Sequence, residues 1–332
     1  MDELSSTRIV LMGKTGSGKS SLANMIFGED VFKINHSPVS ETGRSRAETK
    51  LVNGRNLTLI DSPSVFNTCV SEALLKAEIV RCIAESAPGP HVFLIVLQVE
   101  KFTEQEKAVI KKICQYFSED ALKFAAVVFT HGDQLPDGMR IEEFVSLNQS
   151  LSDLVKKCGN RCHVTDNKYW NATGNDPYRN NQFQVAELLK TTDKIIEANG
   201  RRCYTNEILQ EVRREIQMEE ELLQQSSSNM TPEELRNQAK SNVVNELMVR
   251  LVGTATGALF GAFLGVLENI SAILQIFQRS SSTSSQERDL VLQEALNRGL
   301  RGGMAGFNAA AGAKTAGEAF QKAKTAVLND PE

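Results

Sequence analysis

The sequence predicts an α/β fold: a mostly parallel sheet with one antiparallel strand and helices on both faces, followed by an all-α C-terminal extension. Three observations carry this. Short apolar runs alternate with stretches of helical apolar spacing through about the first two hundred residues. An Asn53-Gly54 pair joins two strand-like runs, and strand-like runs stop after residue 200.

Taken in order, strands are expected at 9–12, 57–60, 91–97, 125–129 and 162–165, and helices at 70–86, 103–117, 140–158 and 181–197. The exception to strict alternation is 48–52, which runs through Asn53-Gly54 into 56–60. Both turn residues tolerate positive φ, so this is a hairpin and one strand must be antiparallel. A charged amphipathic helix follows at 203–224, then a polar, Ser-rich break at 224–229. Thr231-Pro232-Glu233-Glu234 opens a new helix: Thr231 caps it, Pro232 fits its first turn and Glu234 completes a capping box. A second Ser-rich break at 280–285 precedes a helix at 287–328. The domains read as 6–202, a helix and linker at 203–229, and a helical hairpin at 230–332.

With 332 residues, 41% hydrophobic and 23% charged, the chain has the composition of a two-domain globular protein. A net charge of -4 argues against a protein built to coat nucleic acid. The start, MDELSSTRIVLMG, is acidic where a signal peptide would be basic, so a cytosolic protein that is not secreted is expected. Six cysteines in such a chain read as thiols. Cys158, Cys162 and His163 lack a fourth ligand at zinc spacing, which favours a helix-end thiol and a strand thiol.

Gly13-Lys14-Thr15-Gly16-Ser17-Gly18-Lys19-Ser20, with Ser21 after it, lies between an expected strand and an expected helix, where a phosphate-binding loop must lie. Its glycines let backbone N–H groups face phosphate oxygens without a Cβ in the way. Lys19 supplies charge to the terminal phosphates, and the Ser20 hydroxyl is a magnesium ligand. Asp61, closing the strand after the hairpin, would order that magnesium through water. A hydroxyl from the loop at 28–46, either Ser40 or Thr42, would close on the metal and the γ-phosphate.

Asp133, in Phe129-Thr130-His131-Gly132-Asp133, can accept hydrogen bonds from N1 and N2 of guanine, a donor pair that adenine lacks. His131 can lie along the base, and Asn167 flanks it from the other side. With the hairpin strand, this order of elements is that of Ras-like nucleotide switches. The ligands predicted are GTP or GDP with Mg2+.

These residues resemble the GTPases of immunity-associated proteins (GIMAP), relatives of the chloroplast outer-envelope import GTPases and, more distantly, of septins. The resemblance spans about 6–220. It rests on the phosphate loop, on Thr130-His131-Gly132-Asp133, and on the stretch from Gly89-Pro90-His91 through Val99 to Phe102-Thr103-Glu104; Tyr204-Thr205-Asn206-Glu207 extends it. It implies a Ras-like core with two extra helical elements, and GTP-driven homodimers or oligomers through the nucleotide face. It also implies attachment of many members to intracellular membranes, on their cytosolic side. The family's Asp-Thr-Pro-Gly is here Asp61-Ser62-Pro63-Ser64, so the glycine N–H that turns to the γ-phosphate belongs to Ser64. Val65 offers no side chain to orient water, and Lys101 stands where some members carry an Arg that crosses the dimer. Slow intrinsic hydrolysis is therefore expected.

Beyond residue 250, Gly253, Gly257, Gly261 and Gly265 recur every four residues, and 251–267 carries no charge. Gly299, Gly303, Gly306, Ala309, Ala313 and Gly317 form a second small-residue face, so a chain reversal near 282 would bring the two faces together. A soluble hairpin, a hairpin entering a membrane through 251–277, and a region ordered only in oligomers all fit. For the whole chain three readings stand. They are a GTP-dependent switch or oligomerising scaffold, a dimerisation-activated GTPase with Lys101 or a partner's Arg acting in trans, and a nucleotide-locked scaffold.

Overall fold

The computed structural model describes residues 6–34, 45–62, 81–170, 176–226 and 230–253. By internal contacts the chain divides into two units, Met1–Gln210 and Glu211–Glu332.

The first unit is built on a six-stranded sheet: β1 (Thr7–Met12), β2 (Arg46–Val52), β3 (Arg55–Asp61), β4 (Val92–Gln98), β5 (Ala125–Thr130) and β6 (Cys162–Val164). Their spatial order is β2-β3-β1-β4-β5-β6. Every neighbouring pair is parallel except β2 and β3, the predicted hairpin. Asn53 and Gly54 have φ of 50° and 78°, the two positive values a tight hairpin requires.

β4 is apolar and buried over all but its last residue, as suits a strand covered on both faces. On one face, Leu22 and Ile26 of α1 (Lys19–Phe27) share a core with Ile9, Leu11, Leu57 and Leu94. On the other, Phe93 meets Phe117 of α2 (Glu104–Phe117) edge to face at 5.2 Å. Phe129 similarly meets Phe144 of α3 (Ile141–Ser146) at 6.1 Å. α2 begins at a full capping box, in which the Thr103 N–H donates to Glu106 Oε2 at 2.8 Å.

The helix expected over 140–158 is two helices, α3 and α4 (Gln149–Lys157). Asn148 breaks it: its backbone is extended and its side chain accepts the Leu151 N–H, so it caps a new helix instead of continuing the old one. Cys158 caps the C-terminus of α4 and Cys162 opens β6, the helix-end and strand positions expected of them. Burial pushes both thiols up to about 12. α5 (Asn181–Ala198) packs Leu188, Leu189 and Ile195 into the α1 face of the sheet.

The helix expected from 203 starts instead at 207, as α6 (Glu207–Ser226), because Tyr204 is fixed to the sheet. Its N–H donates to the Pro90 carbonyl at 2.8 Å, and its ring meets those of Phe93 and Phe124 at 5.4 and 5.5 Å. Two of the stretches behind the family resemblance thus hold each other: a Cβ on Gly89, where φ is +151°, would lie 1.9 Å from the Tyr204 carbonyl oxygen.

The second unit holds α6 from Glu211 to Ser226 and α7 (Pro232–Gly253), which Thr231 caps. The capping box forms: Glu234 N–H donates to Thr231 Oγ1 at 3.2 Å, and Thr231 N–H to Glu234 Oε2 at 2.9 Å. Asn242 donates to Glu219 at 2.7 Å. Among the described residues no helix is long and apolar enough to cross a membrane. The remainder of 251–277, the small-residue faces beyond Gly253 and the helix at 287–328 lie outside the described residues, as do 70–80 of the first expected helix.

Two predictions follow from this packing. Gly89→Ala has no room for its methyl group beside Tyr204 and should cost about 2–4 kcal/mol, read as a lowered urea midpoint. His91, which accepts the Arg8 N–H at 3.0 Å, and His163, which bonds Thr191 at 2.9 Å, are both held neutral. Burial lowers each to about 4, helped by Arg8 at His91. An unfolded chain takes up these protons near its ordinary 6.5, so stability should be full above that value and fall as pH drops toward 4. Thermal midpoints across this window should show the fall, with a shallower slope in His163→Gln.

Candidate functional site

The parallel strands all end at one edge of the sheet, where an open α/β sheet places its ligands. Met12, Asp61, Gln98, Thr130 and Val164 close their strands there.

Gly13 to Gly18 loop from β1 into α1. Gly13 is obligatory, since a Cβ would lie 2.3 Å from the Val96 carbonyl oxygen. Gly16 and Gly18 take φ of 78° and 84°, and the helix starts at Lys19 without a side-chain cap, leaving its first N–H groups facing the loop. Lys19 is buried, and its ammonium spans the loop, donating to the carbonyls of Gly13 and Lys14 at 3.0 Å each. An ammonium has three donors, so one remains for a phosphate oxygen. Burial lowers the Lys19 pKa, and the nearby Asp61 carboxylate opposes that. Thr15 is exposed at the loop's tip, and Ser21 lies half-buried on the first turn of α1.

Ser20 Oγ donates to Asp61 Oδ2 at 2.5 Å, joining the two residues expected at the metal. Asp61 Oδ1 is buried without a hydrogen-bond partner, as is Ser17 Oγ. Burial raises the Asp61 pKa against the pull of Lys19 and Ser20. An orphaned carboxylate oxygen beside a hydroxyl, at the mouth of a phosphate loop, is a hard-oxygen set that suits Mg2+. Ser62 is turned away from this point, donating to the Leu11 carbonyl at 2.6 Å. Ser40, Thr42, Ser64 and Val65 lie outside the described residues.

At the other end of the site a cavity of about 1090 Å³ is lined by Ser21, His131, Asp133, Asn167 and Tyr169 among others. His131 adopts a left-handed conformation, φ 59°, that turns the chain into a 3-10 turn carrying Asp133. Asn167 reaches back to the phosphate loop: a Cβ on Gly18 would lie 2.9 Å from its Nδ2. The expected base residues are therefore gathered in one pocket with α1. Asp133 is raised by burial and by its contact with Asp166. Against the upward push of burial, Asp166 is held low by N–H donors led by Tyr169.

Lys14, Lys101 and Thr130 lie in motifs read from the sequence, but the contacts of Lys14 and Thr130, like those of Gln98, Glu106 and Trp170, were not evident there. Lys14 pairs with Glu106 at 2.7 Å and with Glu100, joining the phosphate loop to the start of α2. Against burial, the two carboxylates hold Lys14 above its ordinary pKa. Lys101 is exposed next to Glu100. Thr130 donates to the Ser17 carbonyl at 2.8 Å, and Gln98 to that of Gly16 at 2.9 Å, so β4 and β5 brace the loop. Trp170 packs on Gly132, where a Cβ would lie 2.7 Å from its ring. None of these contacts has a local signature, because each acts across tens of residues of sequence.

The chain is 28% identical over 256 residues to GTPase IMAP family member 8 of Homo sapiens, covering 76% of itself and 37% of that protein. It is 33% identical over 214 residues to immune-associated nucleotide-binding protein 8 of Arabidopsis thaliana, covering 62% of itself and 58% of the relative. It thus spans less than two thirds of the length of either. Among solved structures, a dimerization-deficient mutant of Toc33 from Arabidopsis thaliana is similar at 20% identity and a TM-score of 0.49, over 61% of this chain and 89% of that one. The AIG1 family model matches residues 7–223, well over half of the sequence, and the chain belongs to the AIG1 family.

Proposed function

We propose that this chain binds GTP and GDP with Mg2+ and works as a GTP-dependent switch that self-associates through its nucleotide face. The observation that carries this is the junction of two half-sites across α1. Lys19, Ser20 and Asp61 stand at the phosphate end, and His131, Asp133 and Asn167 line the base end. Relatives in the family are named as a GTPase and as a nucleotide-binding protein, which supports the ligand class.

In this reading Lys19 and the N–H groups of the loop hold the phosphates. Ser20 binds the magnesium directly and Asp61 through water, with Ser40 as the closing hydroxyl expected from sequence. When bound, the metal screens phosphate charge and orients the terminal group. Asp133 accepts from guanine N1 and N2, and His131 lies along the ring. With Ser64 and Val65 where faster enzymes carry glycine and glutamine, intrinsic hydrolysis is slow. The segment 251–277 is assigned to contact with the cytosolic face of an intracellular membrane. The second reading, a dimerisation-activated GTPase, is favoured by one feature: Lys101 is exposed, adjoining the Glu100 that grips the phosphate loop.

Asp133→Asn should lower GDP affinity by about tenfold or more and raise that for xanthosine diphosphate, because an amide N–H2 donates to the 2-oxo group of xanthine. Isothermal titration of both ligands checks this; unchanged selectivity would remove Asp133 from the base. For the switch, light scattering of the full chain should show larger species with a non-hydrolysable GTP analogue than with GDP. Lys19→Ala should show one size throughout. Equal sizes in the wild type would sink the switch, and concentration-dependent hydrolysis lost in Lys101→Ala would favour the second reading.

A further inference from the structure

Two loops must stand at one fixed separation to read a base edge here. One follows β5 and carries His131 and Asp133; the other follows β6 and carries Asn167 and Tyr169. The residue between them is Asp166, which is 1% exposed although it stands at the rim of the cavity. Its Oδ1 accepts the N–H groups of Lys168 at 2.9 Å, Trp170 at 3.3 Å and Tyr169. Its Oδ2 accepts the Asp133 N–H at 3.3 Å. Its own backbone is clamped from both sides by Asn181, which accepts the Asp166 N–H at 3.0 Å and donates to its carbonyl at 2.5 Å. Trp170, drawn in by that carboxylate, is the ring that lies against Gly132 in the other loop.

We propose that Asp166 is the positioning residue for base discrimination: one carboxylate oxygen folds the loop that presents Asn167 and Tyr169, and the other sets Asp133 at its distance from that loop. This rests on the reading of the cavity as a guanine pocket. A carboxylate that merely capped the 166–170 turn would need only one of its oxygens. The second oxygen, on the backbone of the very residue that would meet guanine N1 and N2, is what assigns Asp166 to recognition. Both Asp166 oxygens are engaged by backbone N–H groups, so its effect falls on the geometry of Asp133 and so on the part of the affinity that depends on the base edge.

Inosine diphosphate isolates that part, since it lacks the N2 donor while keeping the phosphates, the sugar and N1. Titrations of the full chain with GDP and with inosine diphosphate should show the wild type preferring GDP by about tenfold. In Asp166→Ala that ratio should collapse to within about twofold, with most of the inosine diphosphate affinity kept. A folded Asp166→Ala protein that keeps the wild-type ratio, whatever happens to the two affinities together, would overturn the proposal. If Asp166→Ala does not fold, Asp166→Asn decides. It retains an oxygen for the 168–170 N–H groups but no second acceptor for Asp133, so a lowered ratio sustains the proposal and an unchanged one ends it. A wild-type chain that binds ADP as tightly as GDP would instead overturn the guanine reading itself, and this inference with it.

Discussion

Removing an ammonium from water costs several kcal/mol unless nearby groups replace the lost hydration, and the first unit is arranged around that requirement at Lys19. The loop must bend back so that the carbonyls of Gly13 and Lys14 can take two of its protons. That bend needs glycine at 13, because the Val96 carbonyl lies where a side chain would start. It also needs β3 to end on a carboxylate, since Asp61 is the charge that offsets Lys19. The parallel order of β3, β1 and β4 follows, because only neighbours of β1 can bring Asp61 and Val96 to the ends of the loop.

Much of this was legible beforehand, for reasons that can be named. The hairpin at Asn53-Gly54 was readable because positive φ at two successive residues is a chemical property of those residues. The phosphate loop was readable because its spacing, strand before and helix after, is local. What failed was a helix boundary: 140–158 keeps a helical apolar rhythm through Leu147 and Asn148, yet Asn148 gains more by capping α4 than by continuing α3. The start of α6 was misread for the opposite reason. Tyr204 is held by Pro90, more than a hundred residues earlier in sequence, and no local preference encodes that bond. In the site, Ser20, Asp61 and Asp133 could be named from motifs, but Thr130 and Asp166 work by touching distant backbone and Glu106 by pairing with the distant Lys14 side chain.

The box from Gly89 through Thr103 shows how one motif can serve two ends. Its first residues accept Tyr204 and fix where α6 begins; its last one caps α2. Between them β4 carries the central apolar strand, and Gln98 at its tip holds the Gly16 carbonyl. The packing of α6 and the bracing of the phosphate loop therefore draw on the same stretch, Gly89 to Thr103, and a change aimed at one disturbs the other.

Lys14 gives this connection a direction. It extends from the phosphate loop to Glu106, which is buried on the first turn of α2, and to Glu100, which is exposed ahead of it. A pair with one buried member resists separation more than a surface pair does, because breaking it strands the buried carboxylate. Glu106 also closes the capping box with Thr103, so Lys14, Glu106 and the start of α2 are held as one body. Lys101 is exposed, one residue from Glu100 and ahead of that body. The Lys14 carbonyl in turn accepts from the buried ammonium of Lys19, so the ion pair and the phosphate loop share one residue. Through Lys14 the start of α2 is tied to the loop that holds Lys19.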